Sequence, residues 1–457
     1  MSLSVRTGAR QSPPLAQDAF AGGAGGDAIL REARRARRWD GMRHVILDSW
    51  ALFLGIGLLM VANGLLMTLL TVRAAELGFS ALVIGVMQAG YPLGALFGTL
   101  WAPRLVAQAG HVRSFAALAS ICSITAIVHL MTADPASWTA MRVLAGICFP
   151  GLYVIAESWL NARTDNRLRG RVLSLYFMLQ SGGSAAGAAL VGWPGAAATA
   201  LFGVTSILIS LSVVPLLLAR VVAPQESRPE PMPLARLYAI SPMAVAGAAL
   251  GGAAMGVLFI AGPLYGLELG MGRGDAAAMV TAMTLAGAVA QYPIGWASDR
   301  TDRRGTLIAV SVAGAALSLA ALPLGAAAAI PAFAAVAAMT VPIYSVSLAH
   351  ANDQLRQSQI VPASGAMVFS LNVGLLAGTF AGPAAIGAAG TAGFPLLMAL
   401  LLAATAAVSL RRRALSAAPA ETGQAQAVGS FGAPQTAFLQ SEAAVAEEDG
   451  RMDRHDG

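Results

Sequence analysis

The chain has 457 residues, of which 56% are apolar and only 11% are charged, and its formal net charge is +6. Soluble domains contain roughly 25% charged residues, so this composition excludes an ordinary soluble protein of this length. All 29 basic residues are arginine. Because the phosphate-binding loop of ATPases ends in lysine, the polypeptide contains no ATP-driven pump of its own.

The chain begins with a basic arm over residues 1–44. Residues 1–26 are rich in Gly, Ala, Ser and Pro, which predicts disorder, whereas residues 27–42 have a helical composition with five arginines. The second part is interpreted either as an arm that sets membrane topology or as an interfacial helix on anionic lipid. Because the basic part is long and the first apolar run is a full span, we expect an uncleaved anchor rather than a signal peptide.

Apolar runs of about twenty residues follow, which is the length that crosses a hydrocarbon core of about 30 Å. The hydropathy predicts twelve spans near 49–71, 82–102, 114–132, 138–160, 171–191, 196–218, 243–265, 276–297, 305–325, 329–350, 364–385 and 393–410. Cys122 and Cys148 fall within these spans, where cysteine is usually a small packing residue. No disulfide, metal site or cofactor is therefore expected.

Arginine is distributed unevenly among the loops. The loops after even-numbered spans hold most of the arginines between spans, whereas those after odd-numbered spans hold only Arg73 and Arg273. The positive-inside rule then places both termini of a multi-pass membrane protein in the cytoplasm. The excess positive charge is thus explained by topology and contact with membrane lipid, and it does not indicate nucleic-acid binding.

The fourth predicted span carries a stripe of distinctive residues on one helical face, at offsets of 0, 4, 7, 11 and 15. They are Arg142, Gly146, Phe149, Tyr153 and Glu157. A charge inside a bilayer costs at least about 2.5–3.5 kcal/mol, so both charged residues should face protein or water. Arg142 is interpreted either as a gating or coupling residue or as a side chain that extends to the headgroups. For Glu157 the alternatives are a proton carrier and an ion-pair partner of Arg104, Arg113 or Arg169.

Few polar side chains lie at mid-membrane depth. They are Asn63, Gln88, Tyr91, Gln180, Tyr344 and Asn372, to which Tyr153 of the fourth span is added. Each must find a partner, which is either a neighbouring helix or a wet cavity. As a set drawn from both parts of the chain, these seven residues are the predicted substrate cavity. Gln291 and Tyr292, beside Pro293, are expected to support the loop below them.

The chain divides into two similar parts. A Pro-containing linker over 220–242 separates an N-terminal half, 45–219, from a C-terminal half, 243–410, which is followed by a tail at 411–457 that is expected to be disordered. The sequence Glu-Leu-Gly precedes the second span at Glu76 and the eighth at Glu268. Glycines four residues apart, such as Gly183 and Gly187, predict close helix crossings. Duplicated transporters are built from such parallel repeats, with the solute site where the halves meet.

The loop after the eighth span, Gly295 to Arg304, reads G-x-x-x-D-R-x-x-R-R. This pattern resembles the loop signature of the major facilitator superfamily (MFS). The resemblance implies gating roles for Gly295, Asp299, Arg300, Arg303 and Arg304 and associates the Arg142–Gly146 pattern with proton-coupled members. The N-terminal copy departs from the signature, because Ala102 and Pro103 stand where Asp and Arg are expected.

The chain is also similar to a bacterial subgroup of the superfamily. The similarity rests on Glu157 to Asn161, Arg169-Gly170-Arg171 and His350 to Asp353. It implies an all-α membrane fold of twelve helices in two six-helix parallel-repeat halves. It also implies a monomer in the bacterial cytoplasmic (inner) membrane.

The implied activity is secondary transport of a small solute by alternating access, with protons as the expected coupling ion. Because no charged cluster lies at mid-depth, we expect a neutral, zwitterionic or amphipathic solute. The alternatives are a drug or amphiphile efflux pump and a membrane sensor that binds without transport. An intramembrane enzyme based on Ser364 and His350 is disfavoured, since no acid–base pair at mid-depth supports them.

Overall fold

A computed structural model describes residues 50–162, 166–218 and 232–415. The predicted basic arm at 1–44, most of the predicted linker and the tail beyond 415 lie outside the described residues. The crossing helices are α1 Trp50–Glu76, α2 Ala81–Ala109, α3 His111–Met131, α4 Pro135–Ala162, α5 Asn166–Val191, α6 Ala198–Leu218, α7 Pro242–Glu268, α8 Arg273–Arg300, α9 Arg303–Ala320, α10 Ala326–Asn352, α11 Gln357–Ala389 and α12 Gly393–Leu415.

The predicted twelve-helix fold is confirmed. Nine helical stretches of the described chain are long and apolar enough to cross a membrane, and one of them, Ser358–Arg411, covers most of both α11 and α12. The remaining two helices, α5 and α9, are less apolar, because α5 contains a run of Gln, Ser and Gly and α9 begins with two arginines. Most helices extend past the predicted apolar runs, since α-helices continue beyond the hydrocarbon core into the interface.

The predicted linker contains structure that the sequence did not indicate. A short helix, Leu234–Ile240, precedes α7 and buries Leu237. The backbone N–H of Met232 donates a hydrogen bond to the carbonyl of Pro362, at 3.0 Å. This part of the linker is therefore attached to the start of α11.

The two halves repeat the same packing. Helix α1 packs on α5 and α6, as α7 packs on α11 and α12. Helix α4 packs on α2 and α3, as α10 packs on α8 and α9, and α3 contacts α6 as α9 contacts α12. Between the halves, the main contacts join α2 to α11 and α5 to α8. In each of these pairs, the second helix of one half contacts the fifth helix of the other. The duplication that the sequence indicated is therefore present in three dimensions.

Small residues allow the close crossings within each half. A Cβ atom built on Gly374 of α11 would overlap the carbonyl of Ala249 in α7, and one built on Gly187 of α5 would overlap the carbonyl of Val61 in α1. Helix backbones approach this closely only where side chains are absent. The predicted glycine-mediated crossings are thus confirmed.

Replacing Gly374 with Ala is expected to lower the free energy of unfolding by about 1–3 kcal/mol, because the methyl group must push α11 away from α7. Thermal unfolding in detergent measures this loss. The matched control is Gly203→Ala in α6, where a Cβ atom would meet nothing within 4 Å. Equal stability of the two variants would contradict the close crossing.

The contacts between the halves define one end of the bundle. We call the end formed by the connections after even-numbered helices, which carries Arg104, Arg303 and Arg304, the arginine-rich end, and the other the opposite end. At the opposite end the Nε of Arg273 in α8 donates to the carbonyl of Val191 in α5, at 2.8 Å. Helix α2 also begins against the last turns of α11 there, where Gly85 faces Phe380 and Pro383. The two halves are therefore joined at the opposite end.

Candidate functional site

A cavity of about 300 Å³ lies between the two halves. It is bordered by α1, α2, α4 and α5 of the N-terminal half and by α7, α8, α10 and α11 of the C-terminal half. All seven residues that the sequence places at mid-depth line this cavity, namely Asn63, Gln88, Tyr91, Tyr153, Gln180, Tyr344 and Asn372. The structure therefore brings together side chains that are more than 300 positions apart in the sequence.

The cavity wall is uncharged. Among the described residues, no Asp, Glu, Arg or His side chain lines it, and its surface combines aromatic rings, methionines, amides and hydroxyls. Lining residues that the sequence interpretation did not single out include Met67, Phe177, Phe259, Thr284 and Thr379. Such a wall provides stacking surfaces and hydrogen bonds but no counter-charge at its surface.

Gln291 corrects one sequence prediction. It lines the cavity rather than supporting the loop below, and its Oε1 accepts a hydrogen bond from the Ser345 hydroxyl of α10, at 2.8 Å. Tyr292 is 64% exposed and lies on a different face of α8. One residue along a helix rotates the side chain by about 100°, so the two neighbours face different surroundings.

Two irregular helices of the C-terminal half border the cavity. Helix α7 contains a π-helical turn, Val257–Ala261, just before Pro263, and Phe259 in this turn lines the cavity. Helix α10 is interrupted between Thr340 and Pro342. Proline lacks an N–H and disturbs the helical hydrogen bonds of the preceding turn. π-Turns and breaks of this kind are frequent at functional sites because they re-orient the backbone locally.

The N-terminal half presents polar atoms without partners. Gln88 is fully buried, and its Nε2 donates to the Thr71 hydroxyl at 2.7 Å, but its Oε1 has no hydrogen-bond partner. The Oδ1 of Asn63 and the hydroxyl of Tyr153 are likewise buried without a partner. A buried polar atom without a hydrogen bond costs about 1–3 kcal/mol. These three atoms are therefore candidates for contact with a ligand.

Among the described side chains of the C-terminal half that line the cavity, none has a buried polar atom without a hydrogen-bond partner. The Nδ2 of Asn372 donates to the carbonyl of Val368 one turn earlier, at 3.0 Å. Gln291 is bonded to Ser345 as described above. The two walls of the cavity thus differ, although the helices around them are related by the repeat.

Arg142 lies directly behind the cavity wall. Its side chain is fully buried, its guanidinium carbon is 4.6 Å from the ring centroid of Tyr91, and its Nη2 contacts the Met67 sulfur at 2.8 Å. The Nε and Nη1 atoms have no hydrogen-bond partner. Arg142 therefore does not extend to the membrane surface, and that alternative is wrong. The described titratable groups that interact with the guanidinium include Tyr91, Cys122 and His129, none of which is a carboxylate.

The predicted stripe on α4 is a packed column. The ring of Phe149 lies 6.4 Å from that of Tyr91 and 6.2 Å from that of Tyr153, measured between centroids. Gly146 allows α4 to approach the backbone of Tyr91. The stripe thus connects Arg142 near one end of α4 with Glu157 near the other through buried aromatic rings.

Glu157 is buried at the arginine-rich end of α4, with 1% of its surface exposed. Its Oε1 has no hydrogen-bond partner, and Tyr176 of α5 lies beside it. Among the described residues, neither Arg104 nor Arg113 forms an ion pair with Glu157, so those two predicted pairings are wrong. The side chain of Arg169, the third predicted partner, lies outside the described part of the chain.

The loop signature forms a network within the C-terminal half. Arg303 donates to Asp299 at 2.9 Å, and its Nε also donates to Asp353 after α10. The guanidinium of Arg300 stacks over the Trp296 ring at 4.0 Å, and Arg304 is buried. These contacts join the α8–α9 connection to the α10–α11 connection.

Gly295 and Asp353 both lie close to Arg303 in this network. Gly295 lines a small pocket together with Arg303, between α8 and α10. Burial raises the pKa of the Asp353 carboxyl, and the positive charge of Arg303 opposes this effect.

Comparison with known proteins identifies the fold. The sequence profile of the Major Facilitator Superfamily matches residues 52–339. An uncharacterised MFS-type transporter of Enterobacter sp. (strain 638) is 29% identical over 332 residues, which cover 72% of this chain and 86% of the relative. The uncharacterised MFS-type transporter YcaD of Salmonella newport is 28% identical over 331 residues, with the same coverage.

Solved structures show the same fold at low identity. The nucleoside transporter NupG superposes with a TM-score of 0.68 at 13% identity, covering 80% of this chain and 98% of that one. The E. coli fucose:proton symporter FucP superposes with a TM-score of 0.53 at 16% identity, covering 80% and 99%. The matching family and the relatives are transporters, not enzymes. The chain belongs to the Major Facilitator Superfamily and is a multi-pass membrane transporter.

Proposed function

We propose that the chain transports a small neutral, zwitterionic or amphipathic solute through the cavity between its halves, by alternating access and in exchange for protons or together with them. The observation that carries this proposal is the uncharged cavity, to which both halves contribute. A fully ionic solute would find no counter-charge on this surface, whereas amides, hydroxyls and aromatic rings suit a solute with polar groups and an apolar or planar part. The seven predicted residues are proposed as its lining.

Proton coupling is proposed on the basis of Glu157. A buried carboxyl group with an unpartnered oxygen is costly inside a membrane, and such groups mark proton pathways. The structural neighbour FucP is a fucose:proton symporter, which agrees with a coupled mechanism on this fold. Arg142 is proposed to take part in coupling because it is the other buried charge on α4.

The distribution of arginines supports a proposal for the orientation of the protein in the membrane and for its gating residues. The arginine-rich end is proposed to face the cytoplasm of the bacterial inner membrane, with both termini on that side, and the chain is proposed to act as a monomer. Halves at 45–219 and 243–410 would then move against each other about the cavity. Gly295, Asp299, Arg300, Arg303 and Arg304 are proposed to hold the cytoplasmic ends of the C-terminal half together during this motion.

Replacing Arg303 with Gln is expected to lower the transport rate more than replacing Asp299 with Asn. Arg303 forms ion pairs with two carboxylates, Asp299 and Asp353. Its loss therefore removes the link between the α8–α9 connection and the α10–α11 connection. Asp299→Asn leaves the ion pair between Arg303 and Asp353 in place. We expect about a tenfold reduction for Arg303→Gln, since hydrogen bonds to charged groups contribute about 1.5–3 kcal/mol. The control is Arg73→Gln at the opposite end of the bundle, which removes a partly exposed ion pair with Glu76 and should leave the transport rate near the wild-type level. Equal rates in all three variants would remove the gating assignment.

The substrate is found by a thermal-shift screen of the purified protein in detergent against metabolites and amphipathic drugs. A ligand at one hundred times its dissociation constant adds about 2.7 kcal/mol of stability. We expect a saturable shift with a small neutral or zwitterionic metabolite. A shift with lipophilic drugs alone would favour the efflux alternative, and binding without any solute exchange would favour a sensor.

A further inference from the structure

The N-terminal wall of the cavity, together with Arg142 directly behind it, contains several buried polar atoms without a hydrogen-bond partner. Arg142 offers two unpartnered donors, Nε and Nη1, and the Tyr153 hydroxyl offers a third. Asn63 Oδ1 and Gln88 Oε1 are unpartnered acceptors. Arg142, Gln88 and Tyr153 are each at least 97% buried, so water does not satisfy them at the protein surface.

These atoms belong to one neighbourhood. Tyr91 connects them, because its ring lies under the Arg142 guanidinium and its side chain neighbours both Asn63 and Tyr153. Gln88 lies one turn before Tyr91 on α2, and its Nε2 is held by Thr71 and by the carbonyl of Met67, which orients its free oxygen. The acceptors and the Tyr153 donor therefore lie on one wall of the cavity, and the Arg142 donors lie directly behind it.

Met67 separates Arg142 from the cavity. The sulfur of Met67 contacts the guanidinium, and Met67 itself lines the cavity. Methionine is unbranched and has three rotatable bonds, so it changes position more easily than other apolar side chains. A thioether is a weak acceptor, and an anionic oxygen is a far better partner for a guanidinium.

We propose that Arg142, Tyr153, Asn63 and Gln88 form a binding site for the carboxylate and the adjacent amino or hydroxyl group of a small carboxylic acid, with Met67 occupying the carboxylate position until the acid binds. The carboxylate accepts hydrogen bonds from Arg142 and Tyr153. A neighbouring amino group donates to the side-chain oxygens of both Asn63 and Gln88, and a neighbouring hydroxyl group donates to one of them. This inference rests on the proposed transport function. It narrows the proposed zwitterionic solutes to amino acids, and it adds 2-hydroxy acids, whose single negative charge Arg142 behind the wall would match. The remaining part of either acid would contact the apolar wall.

The first test uses matched ligands. The twenty common L-amino acids, a set of 2-hydroxy acids and the corresponding carboxamides are titrated against the wild-type protein in detergent by thermal shift. We expect saturable stabilisation by at least one acid and at least about tenfold weaker binding of its carboxamide, because the amide lacks the charge that a buried guanidinium requires. Equal binding of acid and carboxamide, or no acid that binds, would overturn the proposed site.

The second test uses variants of α1. Met67→Glu supplies a carboxylate to Arg142 from within the protein, so we expect it to raise the thermal midpoint and to abolish binding of the acid. Met60→Glu is the matched control, because Met60 lines the same cavity two turns away on α1, whereas the described contact with the Arg142 guanidinium is made by Met67. We expect Met60→Glu to lower the thermal midpoint, because it buries a carboxylate without a guanidinium partner. If Met67→Glu binds the acid as the wild type does, the assignment of Arg142 is wrong.

Failure of this site and failure of the transport function give different results. Arg142→Gln is expected to weaken binding of the acid by roughly 10- to 100-fold, as for the loss of a charge-assisted hydrogen-bond pair. If the wild type exchanges a solute without a carboxylate, and Arg142→Gln exchanges it equally well, the protein is a transporter but the proposed site is wrong. If the acid binds as predicted but is not exchanged across a membrane, the site stands and the transport proposal fails.

Discussion

Replacing Glu157 with Gln is expected to abolish proton-driven accumulation of the solute while leaving exchange of the solute between the two sides intact. Glutamine keeps the size and the hydrogen-bonding capacity of the side chain, but it cannot take up or release a proton. In proteoliposomes with an imposed proton gradient, the ratio of internal to external solute should fall to about one. Glu157 is singled out because it is buried on α4 with an unpartnered oxygen.

The control for this prediction is Glu76→Gln. Glu76 lies at the opposite end of α1 in a partly exposed ion pair with Arg73, at 3.0 Å, so its replacement should leave accumulation near the wild-type level. Exposed pairs of this kind contribute about 0–1 kcal/mol. If Glu157→Gln still accumulates solute against its gradient, Glu157 has a structural role beside Tyr176 and another group carries the proton.

A disulfide between cysteines introduced at Gly192 and Gly274 is expected to stop transport completely, and reduction should restore it. The two glycines join the halves at the opposite end of the bundle, where a Cβ atom on Gly192 would lie 3.0 Å from the Cα of Gly274. Since a Cα–Cβ bond is about 1.5 Å long, the Cβ atoms of the two introduced cysteines would lie at most about 4.5 Å apart, and a disulfide requires about 3.5–4.5 Å. Alternating access requires the two halves to separate at this end, so a covalent link between them prevents the protein from opening there.

The cross-linking experiment needs a background in which Cys122 and Cys148 are replaced by Ala, since both are free thiols. The matched control is a disulfide between Ser123→Cys and Ser210→Cys. Their hydroxyls are 3.0 Å apart in α3 and α6, within the N-terminal half, so this link should leave transport unchanged. Transport by the cross-linked 192–274 variant at the wild-type rate would show that the halves do not separate at the opposite end.

The fold could be predicted from the sequence because the membrane imposes simple rules. A span must be about twenty apolar residues long, and its ends must carry charge, so the runs and their number follow from composition. The ends of the helices were less predictable. Helix α11 begins at Gln357, seven residues before the predicted span, because polar residues continue a helix outside the hydrocarbon as well as apolar ones do.

The cavity lining was partly predictable for a similar reason. A polar side chain at mid-depth must face protein or water, so residues such as Asn63 and Asn372 were found from depth alone. Apolar lining residues such as Met67 and Phe259 have no such signal, because they resemble side chains that face lipid. The Arg303–Asp353 pair was also not predicted, since it depends on which loops meet in space.

The position of Arg142 relative to its neighbours could not be derived from the sequence either. Its place on the α4 stripe was predictable from helical periodicity, but the contacts with Met67 and Tyr91 depend on how α4 packs against α1 and α2. The sequence left open whether the guanidinium reaches the headgroups. Its complete burial behind the cavity wall is the observation that adds a carboxylate to the expected features of the solute.

The central claim is that the chain moves a solute through the cavity between its halves, and solute counterflow tests it most directly. Proteoliposomes containing the purified protein are loaded with an unlabelled ligand found by thermal shift and are diluted into the labelled form. We expect saturable, transient accumulation of label above its equilibrium level, and its loss in the cross-linked 192–274 variant. Uptake no faster than in protein-free vesicles, for a ligand that binds, would contradict transport and indicate a protein that binds without moving its ligand.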